Sequence, residues 1–222
     1  MYIKVNGINL YYEVNGQGNP VILVHGNGES SEIFDKTVDK LKNEYSVYSP
    51  DSRCHGHSDD AKEISYELMA DDFIKFIKEL KINKPVFYGF SDGGIIGLLI
   101  AIKEPDLLSG LIISGANINP FGLDTKTRLQ MKLEYLFKKD KLTKMMLREP
   151  NIKTSDLNKI KIQVNVVVGE NDLIKPEHTE LIAKSIKDST LEIVPGEDHG
   201  SYIVHSDKLY DIIEKYIKCS FL

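Results

Sequence analysis

Ser91 stands between glycines in Gly89-Phe90-Ser91-Asp92-Gly93-Gly94, where an apolar strand runs directly into a helix. In that setting a hydroxyl can serve as a nucleophile. Pro85-Val86-Phe87-Tyr88 reads as a short buried strand and Ile95 to Ala101 as a mostly apolar helix, so the turn between them must be sharp and nearly free of side chains. The pattern G-x-S-x-G between strand and helix is a nucleophile elbow, whose chemistry is acyl transfer. Taken alone, the five residues also fit a Gly-rich turn that merely packs a helix on a sheet.

A serine hydroxyl at neutral pH needs a base within hydrogen-bond reach, and the base needs a group that fixes its tautomer. Of six histidines, His199 has the strongest context: Pro195-Gly196-Glu197-Asp198-His199-Gly200 is a polar loop between the last expected strand and the last helix. Loops at strand C-termini are where doubly wound sheets assemble their sites. The orienting acid is expected from Val168-Gly169-Glu170-Asn171-Asp172, just beyond another apolar strand. Asp172 is preferred over Glu170 because it lies further past the strand end, and over Asp198 because adjacent side chains diverge. His55, His57, His178 and His205 read as loop, helix or surface residues.

These residues need a scaffold, and the hydrophobic pattern supplies one. Ile3 to Val5 and Leu10 to Val14 flank the turn Asn6-Gly7 and open the chain as a hairpin. Val21 to Val24 is a continuous apolar run, as for a strand buried on both faces. Strand and helix then alternate: a helix over Ile33 to Leu41, a strand over Tyr45 to Tyr48, and an amphipathic helix over Tyr66 to Leu80 with Leu68, Met69, Phe73, Phe76, Ile77 and Leu80 on one stripe. After the elbow come strands at Leu111 to Ile113, Val164 to Val168 and Leu191 to Val194, with helices at Glu177 to Ile186 and Lys208 to Ile217. Such alternation implies a mainly parallel sheet with helices on both faces. One long connection, 117–161, interrupts the rhythm with Leu129, Leu133, Leu136 and Phe137 at helical spacing, then Leu142, Met145, Met146 and Leu147. A connection of that length is expected to be a helical lid inserted into a single domain, 1–222. Met131, Met145 and Met146 could form an adaptable substrate wall or simply pack the insertion onto the sheet.

Composition narrows the function class. At 222 residues and 41% hydrophobic the chain can bury one substantial core, and a net charge of −5 gives no reason to expect nucleic acid. Lysines far outnumber the three arginines and are interspersed with acids, the pattern of an ordinary solvated surface. No stretch approaches the ~20 apolar residues that span a bilayer, and the N-terminus enters strand pattern without a secretory signal. Cys54 and Cys219 offer neither a disulfide framework nor metal-ligand spacing, which suits a reducing cytoplasm. Cys219-Ser220-Phe221-Leu222 has the outline of a prenylation box, but Ser220 is a poor aliphatic position.

The order Ser91, Asp172, His199 resembles that of the α/β-hydrolase superfamily, and the resemblance covers nearly the whole chain. His25-Gly26-Asn27-Gly28 is similar to the family's His-Gly oxyanion segment, Asp51-Ser52-Arg53-Cys54-His55-Gly56-His57-Ser58 to its Asp-x-Arg-Gly-x-Gly-x-Ser loop, and Val168 to Pro176 to its Gly-x-x-Asp acid loop. The resemblance implies an eight-stranded, mostly parallel sheet and an oxyanion hole made by the backbone N–H groups of Asp92 and Asn27, or of Gly28 one residue on. It implies no metal or organic cofactor. His25 is expected to brace its loop. Cys54 departs from the family's glycine and is expected to be packed and inert, and the insertion is shorter than the caps of many relatives, implying a more open pocket that Gly28 and the three methionines would line.

The side chain of Asp92 admits two readings: an unpaired carboxylate at the acyl pocket, favouring substrates with an ammonium group, or a local hydrogen-bonding partner of backbone or lysine. The expectation for the whole chain is a serine esterase acting on a small carboxylic ester without nucleic-acid or membrane partners. The alternatives are the same triad acting on another bond (thioester, amide or peptide, C–C hydrolysis or perhydrolysis) and a non-catalytic ligand-binding member of the fold.

Overall fold

The structure is a computed structural model that describes residues 1–220, so Phe221 and Leu222, on which the prenylation-box reading falls, lie outside the described residues. Eight strands form one sheet: β1 (Tyr2–Val5), β2 (Ile8–Asn15), β3 (Asn19–Val24), β4 (Tyr45–Pro50), β5 (Val86–Phe90), β6 (Gly110–Ser114), β7 (Val164–Gly169) and β8 (Ser189–Val194). Their spatial order is β1-β2-β4-β3-β5-β6-β7-β8. The first two strands pair antiparallel with their neighbours and all later pairs are parallel. Asn6 and Gly7 both take positive φ, 44° and 85°, the backbone that lets a two-residue turn follow the twist of its strands.

Helices α1 (Asp35–Leu41), α2 (Tyr66–Glu79), α3 (Asp92–Lys103), α4 (Thr125–Lys138), α5 (Lys141–Arg148), α6 (Thr154–Leu157), α7 (Pro176–Ser185) and α8 (Lys208–Ser220) cover the sheet. Alternation along the central strands divides the core in two. Ile22, Val24 and Phe87 join a cluster with Phe73 and Phe76 of α2, Ile96 and Ile100 of α3 and Ile182 of α7. Val21, Leu23, Val86 and Tyr88 join Phe34, Leu41 of α1, and Leu209 and Ile213 of α8. The expected helix at Ile33 to Leu41 is resolved into a 3-10 turn, Ser31–Phe34, followed by α1. β5 runs two residues further than its apolar run, reaching Phe90 with no intervening loop before Ser91.

Between β6 and β7 lie a 3-10 turn at Pro120–Gly122 and helices α4, α5 and α6. Asp124 and Asp140 accept hydrogen bonds from the N–H groups of Thr127 and Thr143, capping α4 and α5. α4 buries only Met131, against Leu123 and Ile174. Leu129, Leu133, Leu136 and Phe137 form the helix that their spacing implies, yet they face outward. Among the described residues, no helix is long and apolar enough to cross a membrane.

Candidate active site

Ser91 sits where β5 becomes α3, with φ 51° and ψ −109°, a conformation that a residue with a side chain holds only when its surroundings impose it. Its N–H donates to the Ser114 carbonyl at 2.8 Å, and its own carbonyl accepts from the N–H groups of Gly94 and Ile95. The close approach behind it depends on Gly93, where a Cβ would lie 2.2 Å from the Val24 carbonyl oxygen. The elbow therefore abuts the end of β3, from which the His25–Gly28 loop departs.

The loops after β7 and β8 bring the other two candidates to the same edge. His199 Nε2 lies 3.1 Å from Ser91 Oγ, and His199 Nδ1 lies 2.8 Å from Asp172 Oδ1. A carboxylate can only accept, so the proton is assigned to Nδ1 and Nε2 is left to take the serine proton. Asp172 Oδ1 also accepts from the Ile174 N–H at 2.8 Å, and the side chain is 1% exposed. The imidazole packs beside the Phe90 ring at 4.9 Å and over Gly115, whose φ is +60° and whose added Cβ would lie 2.6 Å from His199 Cε1.

The neighbouring acids have other partners. Asp198 accepts from the N–H groups of Gly200 and Ser201, which hold its carboxyl below its ordinary range. Glu170 accepts from the Gly196 N–H at 2.7 Å and so ties the two loops together.

The N–H groups of Asn27 and Asp92 have no hydrogen-bond partner among the described residues. Their side chains are clipped together: Asn27 Nδ2 donates to Asp92 Oδ2 at 2.9 Å. Tyr66 donates its hydroxyl to Asp92 Oδ1 at 2.6 Å. Asp92 is thus paired with neither backbone nor lysine but with two neutral side chains, and burial pushes its carboxyl pKa up. Glu29 Oε2 accepts from the Gly26 N–H at 3.0 Å, and burial raises its carboxyl too. His25 donates from Nδ1 to the Gly26 carbonyl at 2.7 Å and accepts at Nε2 from the Ser52 N–H at 3.0 Å. Burial lowers its pKa to about 4, so it is a neutral brace.

A cavity of about 170 Å³ opens at this point, lined by Asn27, Glu29, Ser91, Asp92 and His199 together with Tyr66, Asn117, Leu123, Thr127, Met146, Glu149 and Leu173. Of the residues expected to shape a pocket, Met146 is in the lining. Met145 packs in the main core, Met131 sits in the small cluster under α4, and Gly28 is an exposed turn residue with φ +73°. Two histidines read as loop, helix or surface residues are buried: His55 at 5% exposure, and His178, whose Nε2 accepts from the Ile118 N–H at 3.1 Å. Cys54 takes the positive φ, 64°, that explains the family's glycine, and its sulfur accepts from the Ala61 N–H at 3.4 Å. Among the described residues, no group of three His, Cys, Asp or Glu side chains is arranged to hold a metal ion.

Residues 19–141 match the family model described as alpha/beta hydrolase fold. The chain belongs to the alpha/beta hydrolase fold family. This hydrolase is 27% identical over 250 residues to "Serine hydrolase BPHL" of Homo sapiens, covering 97% of the chain and 85% of the relative. It is 31% identical to a "Pimeloyl-[acyl-carrier protein] methyl ester esterase" of Aliivibrio fischeri over 107 residues, 47% of the chain and 39% of that protein. In fold it resembles an esterase from Exiguobacterium antarcticum, with TM-score 0.84, 21% identity and 98% of both chains covered. A thermophilic esterase from Thermogutta terrifontis aligns with TM-score 0.79 and 23% identity, covering 99% of this chain and 97% of that one.

Proposed function

We propose that this hydrolase cleaves small carboxylic esters through an acyl-enzyme, with Ser91 as nucleophile, His199 as general base and acid, and Asp172 as its orienter. The observation that carries the reading is the hydrogen-bonded line Ser91–His199–Asp172 beside two unpartnered amides, those of Asn27 and Asp92. Ser91 Oγ attacks the ester carbonyl while its proton moves to His199 Nε2. The carbonyl oxygen gains negative charge and is met by the two N–H groups, and the C–O bond breaks as His199 returns the proton to the departing alcohol. Water then repeats the sequence on the acyl-enzyme and releases the acid. The cavity is smaller than the ~300–1,000 Å³ typical of drug-sized ligands, which supports a short acyl group. The insertion 117–161 contributes Leu123, Thr127, Met146 and Glu149 to its wall, in keeping with a lid role.

The BPHL relative, a serine hydrolase, and the esterases similar to this chain support the same chemistry. The test is a fluorophosphonate probe: folded protein labels at Ser91, and Ser91→Ala neither labels nor turns over a panel of short-chain esters. Folded wild type that fails to label refutes the mechanism. Failure of the whole panel to exceed the Ser91→Ala background would favour a binding protein that retains the fold.

One observation favours a narrower substrate. Glu29, Asp92 and Glu149 line the cavity, and no lysine or arginine does. Carboxylates beside an oxyanion site oppose the charge that forms there, and a substrate ammonium group would offset them. Paired esters with and without an α-amino group, run on wild type and Asp92→Asn, decide this, and equal preference in both proteins removes it.

A further inference from the structure

The surface charge is not evenly mixed in space. Over 125–148, covering α4 and α5, eight lysines and arginines face two acids, a local excess of +6 in a chain whose total is −5. Of these eight cations, only Lys141 has an ion-pair partner among the described residues, Asp60. Leu129, Leu133, Leu136 and Phe137 recur at i, i+4, i+7 and i+8, so they share one face of α4, opposite the buried Met131. Their exposures are 57%, 49%, 67% and 86%, and Phe121, beneath Arg128 at 4.3 Å, is 67% exposed.

From this we infer that α4 is a peripheral anchor that lays its Leu/Phe stripe into the interface of an anionic lipid bilayer, with Lys126, Lys132 and Lys139 meeting the headgroups. A convex helix bearing large apolar side chains between lysines has the composition of an interfacial helix. A second copy fits poorly, because a two-fold contact would press this excess of positive charge against itself. Nucleic acid would use the charge but leave the stripe in water. Thr127, in the first turn of α4 on the side of Met131, lines the cavity, so docking by the opposite face would leave the helix between the cavity and the bilayer. For this segment the inference departs from the sequence expectation of an ordinary solvated surface without a membrane partner.

The test is flotation of the full chain with vesicles of phosphatidylcholine alone or mixed with phosphatidylglycerol. The protein is expected to float with the anionic vesicles only, and to release as salt rises. Each lysine near the surface is worth about fivefold in partitioning, so Lys132→Glu with Lys139→Glu should weaken binding at least ~25-fold. Phe137→Ser should weaken it without changing the charge, and both variants should hydrolyse a water-soluble ester like wild type. The chain contains no tryptophan, so Phe137→Trp adds a single indole whose emission shifts to the blue if the stripe inserts. The inference is overturned by equal binding to neutral vesicles, by no binding to either, or by an unshifted indole. It is also overturned by a concentration-dependent dimer abolished by Phe137→Ser, which would assign the face to a second copy.

Discussion

Asn27→Ala isolates the clip between the two proposed oxyanion donors. The substitution keeps the backbone N–H at position 27 but deletes the amide that donates to Asp92 Oδ2 at 2.9 Å, leaving a carboxylate 2% exposed with Tyr66 as its remaining side-chain donor. A hydrogen bond to a buried charge contributes about 1.5–3 kcal/mol. If that free energy holds the loop against the elbow, kcat should fall by about 10- to 150-fold, the conversion of the same range into a rate. KM should change far less, because the lost contact lies within the protein. The melting temperature should drop by roughly 3–12 °C, given about 2–4 °C per kcal/mol for a chain of this size. Steady-state kinetics on a neutral short-chain ester, fluorophosphonate labelling rates and a thermal melt are read on the same preparation. A lowered melting temperature with unchanged kcat would refute the positioning role and leave the clip as a purely structural bond. A raised KM with unchanged kcat would instead mean that Asn27 touches the substrate.

Asp172→Asn should lower kcat by up to about 10⁴ with the fold intact, because a neutral amide no longer stabilises the imidazolium formed when the serine proton moves to Nε2; a loss below tenfold in a single-turnover assay would remove Asp172 as the orienter. Gly93→Ala places a methyl carbon where the Val24 carbonyl oxygen stands 2.2 Å away, so the oxyanion loop must retreat; a loss of ~100-fold or more in kcat is expected, comparable to losing one donor. His25 carries a pKa of about 4 in the fold against an ordinary 6.5. Below about pH 6.5 the unfolded chain takes up a proton that the folded chain refuses, so stability falls as pH drops, by up to ~3 kcal/mol from this residue by pH 4. Urea midpoints taken near neutrality and near about pH 5 should show that decline, and His25→Gln should flatten it.

Local pattern carried the reading of the fold a long way, because each element announces itself over a few residues. The buried run Val21 to Val24, the Asn6-Gly7 turn and the glycines around Ser91 lie where periodicity and turn chemistry put them. That Ser91, Asp172 and His199 meet could be expected from sequence because each follows a strand on the sheet's C-terminal edge, and the topology brings such loops together. The cavity wall was less legible. Tyr66 and Glu149 reach it from elements far apart in sequence, and nothing in the neighbours of either announces the meeting. Met145 and Met146 are adjacent, yet one faces the core and the other the cavity, a rotation of a helix that spacing alone does not set. The burial of His55 and His178 likewise depends on which loops fold over them. The stripe on α4 shows the same limit in reverse: helical spacing was visible, but not that the sheet would leave it uncovered.

The bare backbone of Gly115 beneath the His199 imidazole sets a narrow evolutionary margin. A Cβ there would fall 2.6 Å from His199 Cε1 and 2.7 Å from Nδ1, so a single methyl group would displace the ring without touching Ser91 or the amides of Asn27 and Asp92. On the proposed role of His199, turnover and mere capture of a small molecule would then be one mutation apart. A lineage that drifted across that step would keep its fold and its ligand and become a receptor.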